Sequence, residues 1–159
     1  KMINARLETV LEKPSFSSLV HNQRCIVLAD GYYEWAKPNN QPYYISDEKN
    51  KILPLAGLWN SWQDSNSSKL FTYTVITTTP ANNIKNIHNR MPLILNSRSM
   101  DKWLNYDKVP ISECLSYIQY EKPHLKFYPV SKIVNSSINN SILNIREEKP
   151  KDILNLFSN

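Results

Sequence analysis

The sequence predicts an α+β fold built around a mostly antiparallel β-sheet. Strand-like runs recur along the whole chain, the helical patterns between them are short, and the two do not alternate as regular βαβ units. The clearest strand is LFTYTVITT (70–78), in which Phe71, Tyr73 and Val75 share one face and the threonines share the other. With 159 residues and no repeat or internal boundary, the chain is expected to form one domain over residues 1–159.

The other strands are predicted from short apolar runs that end at turn residues. RCIVLAD (24–30) is typical of a short buried strand, and a tight turn leads from it into GYYEW (31–35). KPNNQ (37–41) and QDSNSSK (63–69) are predicted to be connecting loops. Further strands are predicted over residues 42–46, 52–62, 91–95 and 125–131.

Helical signals are short and few. Thr79–Pro80 supplies an N-cap and a proline at the first helical position, which predicts a short helix over residues 81–87. SRSMDKWLN (97–105) and PISECLSYI (110–118) also have helical spacing. The tail (135–157) is rich in Asn and Ser and then weakly helical.

The composition is that of an ordinary globular chain with a basic surface. Hydrophobic residues make up 41% and charged residues 21%, no apolar run has the length of a membrane span, and no signal peptide is visible, which favours a soluble protein. The net charge of +5 favours a polyanionic partner, although lysines scattered over a solvated face would give the same total. Cys25 and Cys114 are far apart in sequence, so free buried thiols in a reducing compartment are expected rather than a disulfide.

Glycine is unusually rare in this chain. Gly31 and Gly57 are the two glycines of the sequence, where average usage would give about eleven. Each stands beside an aromatic cluster, in DGYYEW and AGLWNSW. We expect each to lie where a side chain would clash or where φ must be positive.

IHNRMP (87–92) combines a histidine and an arginine just before a predicted strand. In an extended chain His88 and Arg90 would point to the same side, where the fixed charge of the guanidinium would disfavour protonation of the imidazole. A lone histidine is more often a hydrogen-bonded structural residue than a catalyst. The residues alone leave both interpretations open.

Two more stretches, NARLET (4–9) and ADGYYEW (29–35), place polar residues between apolar flanks. Asn4 alone is most often a turn or cap residue. Glu34 is a surface carboxylate if its aromatic neighbours pack inward. If it instead faces a pocket walled by aromatic rings, desolvation would raise its pKa and make it a proton donor near neutral pH.

We expect no metal site and no cofactor. The histidines, His21, His88 and His124, are isolated from one another, and neither cysteine has a partner at ligand spacing. Two glycines are too few for a phosphate-binding loop.

The ordered combination of motifs is more specific than any one of them. The chain contains, in order, NARLET, RCIVLADGYYEW, QPYYI, LPLAGLW, TVITTTPAN, IHNRMPLIL and YPVSKIVN. In order and spacing these motifs resemble the SRAP family, the abasic-site processing proteins first described as SOS-response-associated peptidases. The resemblance extends from Ile3 to about Asn135 and implies a barrel-like, SRAP-like sheet core with short flanking helices.

The resemblance implies a function in DNA repair. Members of the family bind single-stranded DNA and form a covalent crosslink, a thiazolidine, at abasic sites through an N-terminal cysteine that an autopeptidase activity exposes. The implied partner is single-stranded DNA with abasic sites, bound by a monomer without metal or membrane. For a bacterial protein the implied location is the cytoplasm, in association with the nucleoid. For a eukaryotic protein it is the nucleus.

The same resemblance assigns roles to residues of the matched motifs. Asn4 would orient the reacting group or the sugar, Glu34 would act as acid and base during ring opening and imine formation, and His88 would be the second proton carrier. Four residues would contact DNA, with two arginines on phosphates and a tryptophan stacking on a base. They are Arg6, Trp35, Thr78 and Arg90.

One feature of the family pattern is missing. The cysteine belongs to a Met-Cys-Gly-Arg-type beginning upstream of NARLET, and the 159 residues contain no such segment. Cys25 and Cys114 are internal and have no free α-amine, so we expect the chain alone to be inactive. We also expect it to expose part of its core, because the missing segment would contribute strands. The alternatives are a non-covalent single-stranded-DNA-binding module and, less well supported, a hydrolase that uses Glu34 and His88 on a small substrate.

Overall fold

The structure is a computed structural model that describes residues 3–37, 39–49, 51–63, 65, 68–118 and 123–149. Its strands are β1 (Asn4–Arg6), β2 (Arg24–Ala29), β3 (Tyr32–Ala36), β4 (Gln41–Asp47), β5 (Leu53–Gln63), β6 (Lys69–Thr78), β7 (Met91–Pro92) and β8 (Leu125–Pro129). Its α-helices are α1 (Pro14–Ser17), α2 (Leu19–Asn22), α3 (Ser97–Leu104) and α4 (Ile111–Ile118). The predicted α+β class is confirmed, and none of the described helices is long and apolar enough to cross a membrane.

The larger sheet runs in the order β1-β6-β5-β2, with β7 paired to β6. The β2–β5 and β5–β6 pairs are antiparallel, whereas β1 lies parallel to β6 with Asn4 opposite Val75 and Arg6 opposite Thr77. Residues after β7 bond to both long strands, since Leu93 donates to the Ile76 carbonyl over 2.8 Å and accepts from the Ala56 amide over 2.8 Å. The IHNRMP segment is therefore held against β6, next to NARLET.

The smaller sheet consists of β3, β4 and β8 in that order, all antiparallel. In the part of the chain that the structure describes, neither sheet closes on itself, so the expected barrel-like core is an arrangement of two open sheets. Two buried clusters pack against them. One cluster contains Trp103 and Ile76, and the other contains Ile45, Ile84 and Leu125.

The predicted helix over 81–87 is wrong, because these residues form consecutive turns. The amides of Ile84 and Ile87 donate to carbonyls three residues back, over 3.1 and 2.9 Å, and the helix does not propagate. Both isoleucine side chains are buried. The exposed asparagines of this segment, Asn82, Asn83 and Asn86, belong to a residue type that competes with helical hydrogen bonding.

The predicted strand over 70–78 is confirmed, but the exposure of its side chains changes along its length. Thr74 and Ile76 are buried, whereas Phe71 and Tyr73 are exposed on the opposite face. Val75 packs against the cluster around Ile45. The end of β6 nearest to β1 is therefore the end enclosed by the two clusters.

Most of the remaining predicted elements are in place, but the strand predicted over residues 91–95 is reduced to β7, with Ile94 in an isolated bridge to Leu55. The two helices predicted after residue 96 are α3 and α4, and Asn96 caps α3 by accepting from the Ser99 amide over 2.8 Å. The tail forms two 3-10 turns, Lys132–Asn135 and Ile142–Ile145, and its residues 150–159 lie outside the described part. Three residues of the predicted 63–69 loop and one of the 37–41 loop also lie outside it.

Both glycines lie where a side chain has no room, as expected, and neither has a positive φ. A Cβ atom on Gly31 would be 2.5 Å from Cζ of Tyr44 and 2.6 Å from the Ile45 carbonyl oxygen. A Cβ atom on Gly57 would be 3.0 Å from Sγ of Cys25. Gly31 therefore permits the close approach of the chain entering β3 to β4.

We expect Gly31→Ala to lower the free energy of unfolding by about 2–3 kcal/mol, because backbone atoms must move to admit the methyl group. Gly57→Ala is the matched control and should cost less, since its tightest contact is a side-chain sulfur. Urea unfolding of both variants measures the difference. An equal cost at the two positions would show that the Gly31 contact does not set the position of β3.

Candidate active site

Strand β3 determines where Glu34 points. Alternation along the strand puts Tyr32 and Glu34 on one face and Tyr33 and Trp35 on the other. Tyr33 packs on Tyr44, with ring centroids 5.4 Å apart. The rings of Tyr33 and Trp35 therefore lie on the outer face of β3, and the Glu34 carboxylate faces the turns over residues 81–87.

The turns hold His88 opposite β3. Buried Ile84 and Ile87 anchor them in the core, and Asn83 Nδ2 donates to the Leu125 carbonyl in β8 over 2.7 Å. At the start of the segment, the Ala81 amide donates to the sulfur of Met91 over 3.2 Å. The backbone that carries the imidazole is therefore fixed to both sheets.

Glu34 and His88 form the centre of the site. Nδ1 of His88 lies 3.5 Å from Oε1 of Glu34, and their side chains are 36% and 22% exposed, respectively. Burial raises the pKa of the Glu34 carboxyl, and the opposing effect of a charged His88 is smaller. The distance is at the outer limit of a hydrogen bond, so a small shift is enough to bring the two groups into proton-transfer contact.

The backbone beside His88 sets which ring nitrogen faces Glu34. The Arg90 amide donates to Nδ1 of His88 over 3.3 Å, and the Arg90 carbonyl lies 3.3 Å from the same atom. An imidazole that accepts the amide carries its proton on Nε2. In that tautomer Nδ1 has one lone pair, which can take a proton from a neutral Glu34 carboxyl once it releases the Arg90 amide.

Tyr32 lies on the same face of β3 as Glu34. Its hydroxyl oxygen is buried and has no hydrogen-bond partner among the described residues. Burial, and secondarily the charge of Glu34, raise the pKa of this phenol. Tyr32 is thus a neutral group with an unused hydrogen-bond donor next to the acid.

Arg90 binds Glu8 rather than facing the same side as His88. Its two terminal nitrogens donate to the two carboxylate oxygens of Glu8 over 2.7 and 2.9 Å, and one also donates to the Thr77 carbonyl over 2.6 Å. The hydrogen bond from Arg90 lowers the pKa of Glu8. The expected placement of the two side chains in one space is therefore wrong, because residues 88–90 precede β7 and are not extended.

Asn4 and Arg6 are exposed on one face of β1, on either side of buried Ala5. Among the described residues, the Asn4 side chain makes no hydrogen bond to Glu34 or His88. Arg6 lies near enough to Glu8 to help lower the pKa of that carboxyl. The arginine–glutamate pair joins this motif to the IHNRMP segment, and the role of Asn4 stays a prediction.

The other two predicted DNA-contacting residues lie apart from the Glu34–His88 pair. Trp35 is 37% exposed, and its Nε1 donates to Oδ1 of Asn135 over 2.8 Å. It is on the face of β3 opposite to Glu34, so a base stacked on it would be beside the sheet edge. Thr78 is half-buried at the end of β6, opposite Met91 in β7. Both roles stay predictions.

The described residues contain no group of three or more His, Cys, Asp or Glu residues that could hold a metal ion. Cys25 and Cys114 are free thiols, half-buried and buried, respectively. Burial raises the pKa of both thiols, so neither is an activated nucleophile. Among the described residues, the groups brought together at this partly open surface are an acid and an imidazole.

Comparison with known proteins identifies the family of the chain. The family model described as SOS response associated peptidase (SRAP) matches residues 1–137. The chain belongs to the SRAP family, as the sequence motifs predicted.

Relatives of known name and structure agree with this assignment. The chain is 39% identical over 145 residues to the abasic site processing protein YoqW of Bacillus subtilis, with 89% of this chain and 65% of that protein covered. It is 37% identical to the abasic site processing protein HMCES of Xenopus tropicalis, covering 89% of this chain and 48% of that protein. A crystal structure of a protein from Bacteroides thetaiotaomicron matches with a TM-score of 0.80 and 30% identity, covering 91% of this chain and 65% of the other. The chain thus spans between about half and two thirds of these relatives' lengths.

Sequence reasoning missed the groups that surround the pair. Glu8 is separated from Arg90 by 82 residues, and no local pattern indicates that they meet. Lys37 and Lys85 border His88 in a shallow groove and were indistinguishable from scattered surface lysines. Tyr32 could have been found, because alternation places it on the face of Glu34.

The raised pKa of Glu34 predicts a pH-dependent effect on stability. A folded-state pKa above the unfolded value means that the folded chain binds the proton more tightly, so stability is lost as the pH rises through that range. Glu34→Gln cannot ionise, and should be more stable than the wild type at pH 7 but not at a pH below the unfolded-state pKa. Urea unfolding across that range tests this, with exposed Glu12→Gln as control. A constant difference between wild type and Glu34→Gln at every pH would contradict it.

Proposed function

We propose that this chain is the core of an abasic-site processing protein that binds single-stranded DNA and captures abasic sites covalently. The observation that carries the proposal is the contact between Glu34 and His88, which come from two separate SRAP motifs and meet at 3.5 Å. The names of YoqW and HMCES supply the substrate class. Support also comes from the net charge of +5, which suits a polyanionic strand.

The proposed reaction requires an amine and two proton-transfer groups. An N-terminal α-amine has a pKa of about 7.7–8.0, so part of it is neutral and can attack the aldehyde of the ring-opened sugar. Addition gives a carbinolamine, which loses water to form an imine. Addition of the cysteine thiol to the imine carbon then closes the thiazolidine. The cysteine that the family resemblance implies for this reaction is an N-terminal one, and neither Cys25 nor Cys114 has that position.

Glu34 and His88 would move the protons in this sequence. Glu34, whose pKa is raised by burial, would protonate the departing hydroxyl of the carbinolamine and would assist ring opening of the sugar. His88 would take a proton from the attacking amine on Nδ1 and pass it to Glu34, which restores the acid. Asn4 would orient the sugar by hydrogen bonds, with Arg6 on a phosphate beside it.

The first test uses the protein expressed from its full gene with single-stranded DNA that carries one abasic site. A band that is shifted on a denaturing gel supports covalent capture, and a shift seen on native gels alone indicates a non-covalent binding module. Glu34→Gln should slow crosslinking by about 10²-fold or more, because a general acid contributes about that much, and should leave DNA binding intact. Loss of binding with an unchanged rate per complex would show that Glu34 has a different role.

The second test asks how Arg90 acts. If Arg90 exchanges Glu8 for a DNA phosphate, Arg90→Ala should weaken binding to all sequences and reduce its salt dependence, whereas Glu8→Gln should tighten binding because it frees the guanidinium. Fluorescence anisotropy at several salt concentrations measures both.

The Arg90–Glu8 pair also has a structural role that must be separated from DNA binding. Both substitutions remove the same partly exposed ion pair, so each should lower the free energy of unfolding by about 1 kcal/mol or less. If both variants lose stability and Glu8→Gln binds DNA no better than the wild type, Arg90 ties NARLET to the turns and does not clamp phosphate.

A further inference from the structure

A groove of about 180 Å³ lies beside His88, on the side of the turns that precede it. Its walls come from the end of β3 and from the turns over residues 81–87. The polar lining residues are Lys37, Lys85, Asn86, His88 and Asn89, and Ile87 is the apolar one. The groove is therefore continuous with the proton-transfer pair through His88.

The lining has the chemistry of an anion site. It offers two ammonium groups, two side-chain amides and an imidazole, and it contains no carboxylate. Within the described residues, neither Lys37 nor Lys85 pairs with an acidic side chain. Arg90 and Lys102, in contrast, are both engaged by carboxylates, over 2.7 and 2.9 Å. The groove thus holds cationic charge that the described part of the fold leaves available to a ligand.

The positions of the two lysines along the chain connect the groove to the reaction. Lys37 follows Glu34 by three residues, and Lys85 precedes His88 by three. Their flexible stems therefore start from the same two segments that supply the acid and the imidazole. The proposed reaction takes place at Glu34 and His88. A ligand bound by both ammonium groups would therefore lie next to the abasic sugar, where an adjacent part of the same DNA strand would be.

We propose that this groove binds a backbone phosphate of the DNA strand next to the abasic nucleotide, with Lys37 and Lys85 as its charged contacts. Asn86 and Asn89 donate hydrogen bonds to the phosphodiester oxygens. The proposal rests on the proposed function in taking single-stranded DNA as the ligand. It adds a second anchoring point for the strand, on the side of His88 away from Arg90 and Glu8.

The test measures salt dependence with a strand that cannot crosslink. The probe is a fluorescein-labelled single strand with one tetrahydrofuran abasic analogue, which has no aldehyde. For the protein expressed from its full gene, Lys37→Gln/Lys85→Gln should reduce the slope of log K against log salt by about 0.7, the value for one phosphate contact on a single strand. The matched control, Lys13→Gln/Lys108→Gln, removes the same charge from exposed lysines outside the groove and should leave the slope unchanged.

The outcomes separate this proposal from the proposed function. Equal slopes for the two double variants would overturn the phosphate site, even if the wild type crosslinks abasic DNA. A lysine-dependent slope in a protein that never crosslinks would support the site and overturn covalent capture. A wild type that binds no single-stranded DNA would overturn both. Thermal unfolding of both double variants checks that the lysine substitutions leave the fold intact.

Discussion

The burial of Ile84 and Ile87 between the two sheets is the interaction on which the site depends. These side chains belong to a cluster with Ile45 of β4 and Leu125 of β8, and thus fasten a non-helical segment to the smaller sheet. His88 follows immediately and is brought to β3. Without this packing the turns would have no fixed orientation, because their own backbone hydrogen bonds are few and local.

The same packing creates the low-dielectric environment that adapts Glu34 for acid chemistry. The carboxyl lies between Tyr32 and the turns, where burial favours its neutral form, while its exposed side faces His88. A fully buried carboxyl could not exchange protons with a ligand, and a fully exposed one would be ionised at neutral pH. Partial burial raises the pKa of the Glu34 carboxyl and leaves part of its side chain exposed, and the Gly31 contact fixes the position of β3 against β4.

The sequence was a good guide to elements and a poor guide to their partners. Alternation and turn residues identified β2, β3, β6 and β8, and the family motifs pointed to the Glu34–His88 pair. The helix expected over 81–87 failed because a favourable N-cap says nothing about tertiary packing, which here outweighs helical hydrogen bonding. The Arg90–Glu8 pair could not be foreseen, since it depends on the parallel pairing of β1 with β6. Local patterns do not encode that pairing.

The cationic side chains around the site form two groups, those paired with a carboxylate and those without such a pair. The position of each side chain in the fold explains the difference. Arg90 lies where β1 and β6 run side by side, so a carboxylate from the following turn can reach it, and its charge is satisfied within the fold. Lys37 follows the end of β3 and Lys85 lies within the turns over residues 81–87, and neither pairs with a carboxylate among the described residues. The first kind of cation stabilises the arrangement of motifs. The second adds electrostatic potential beside the acid–imidazole pair, and a polyanionic strand would be drawn to that side.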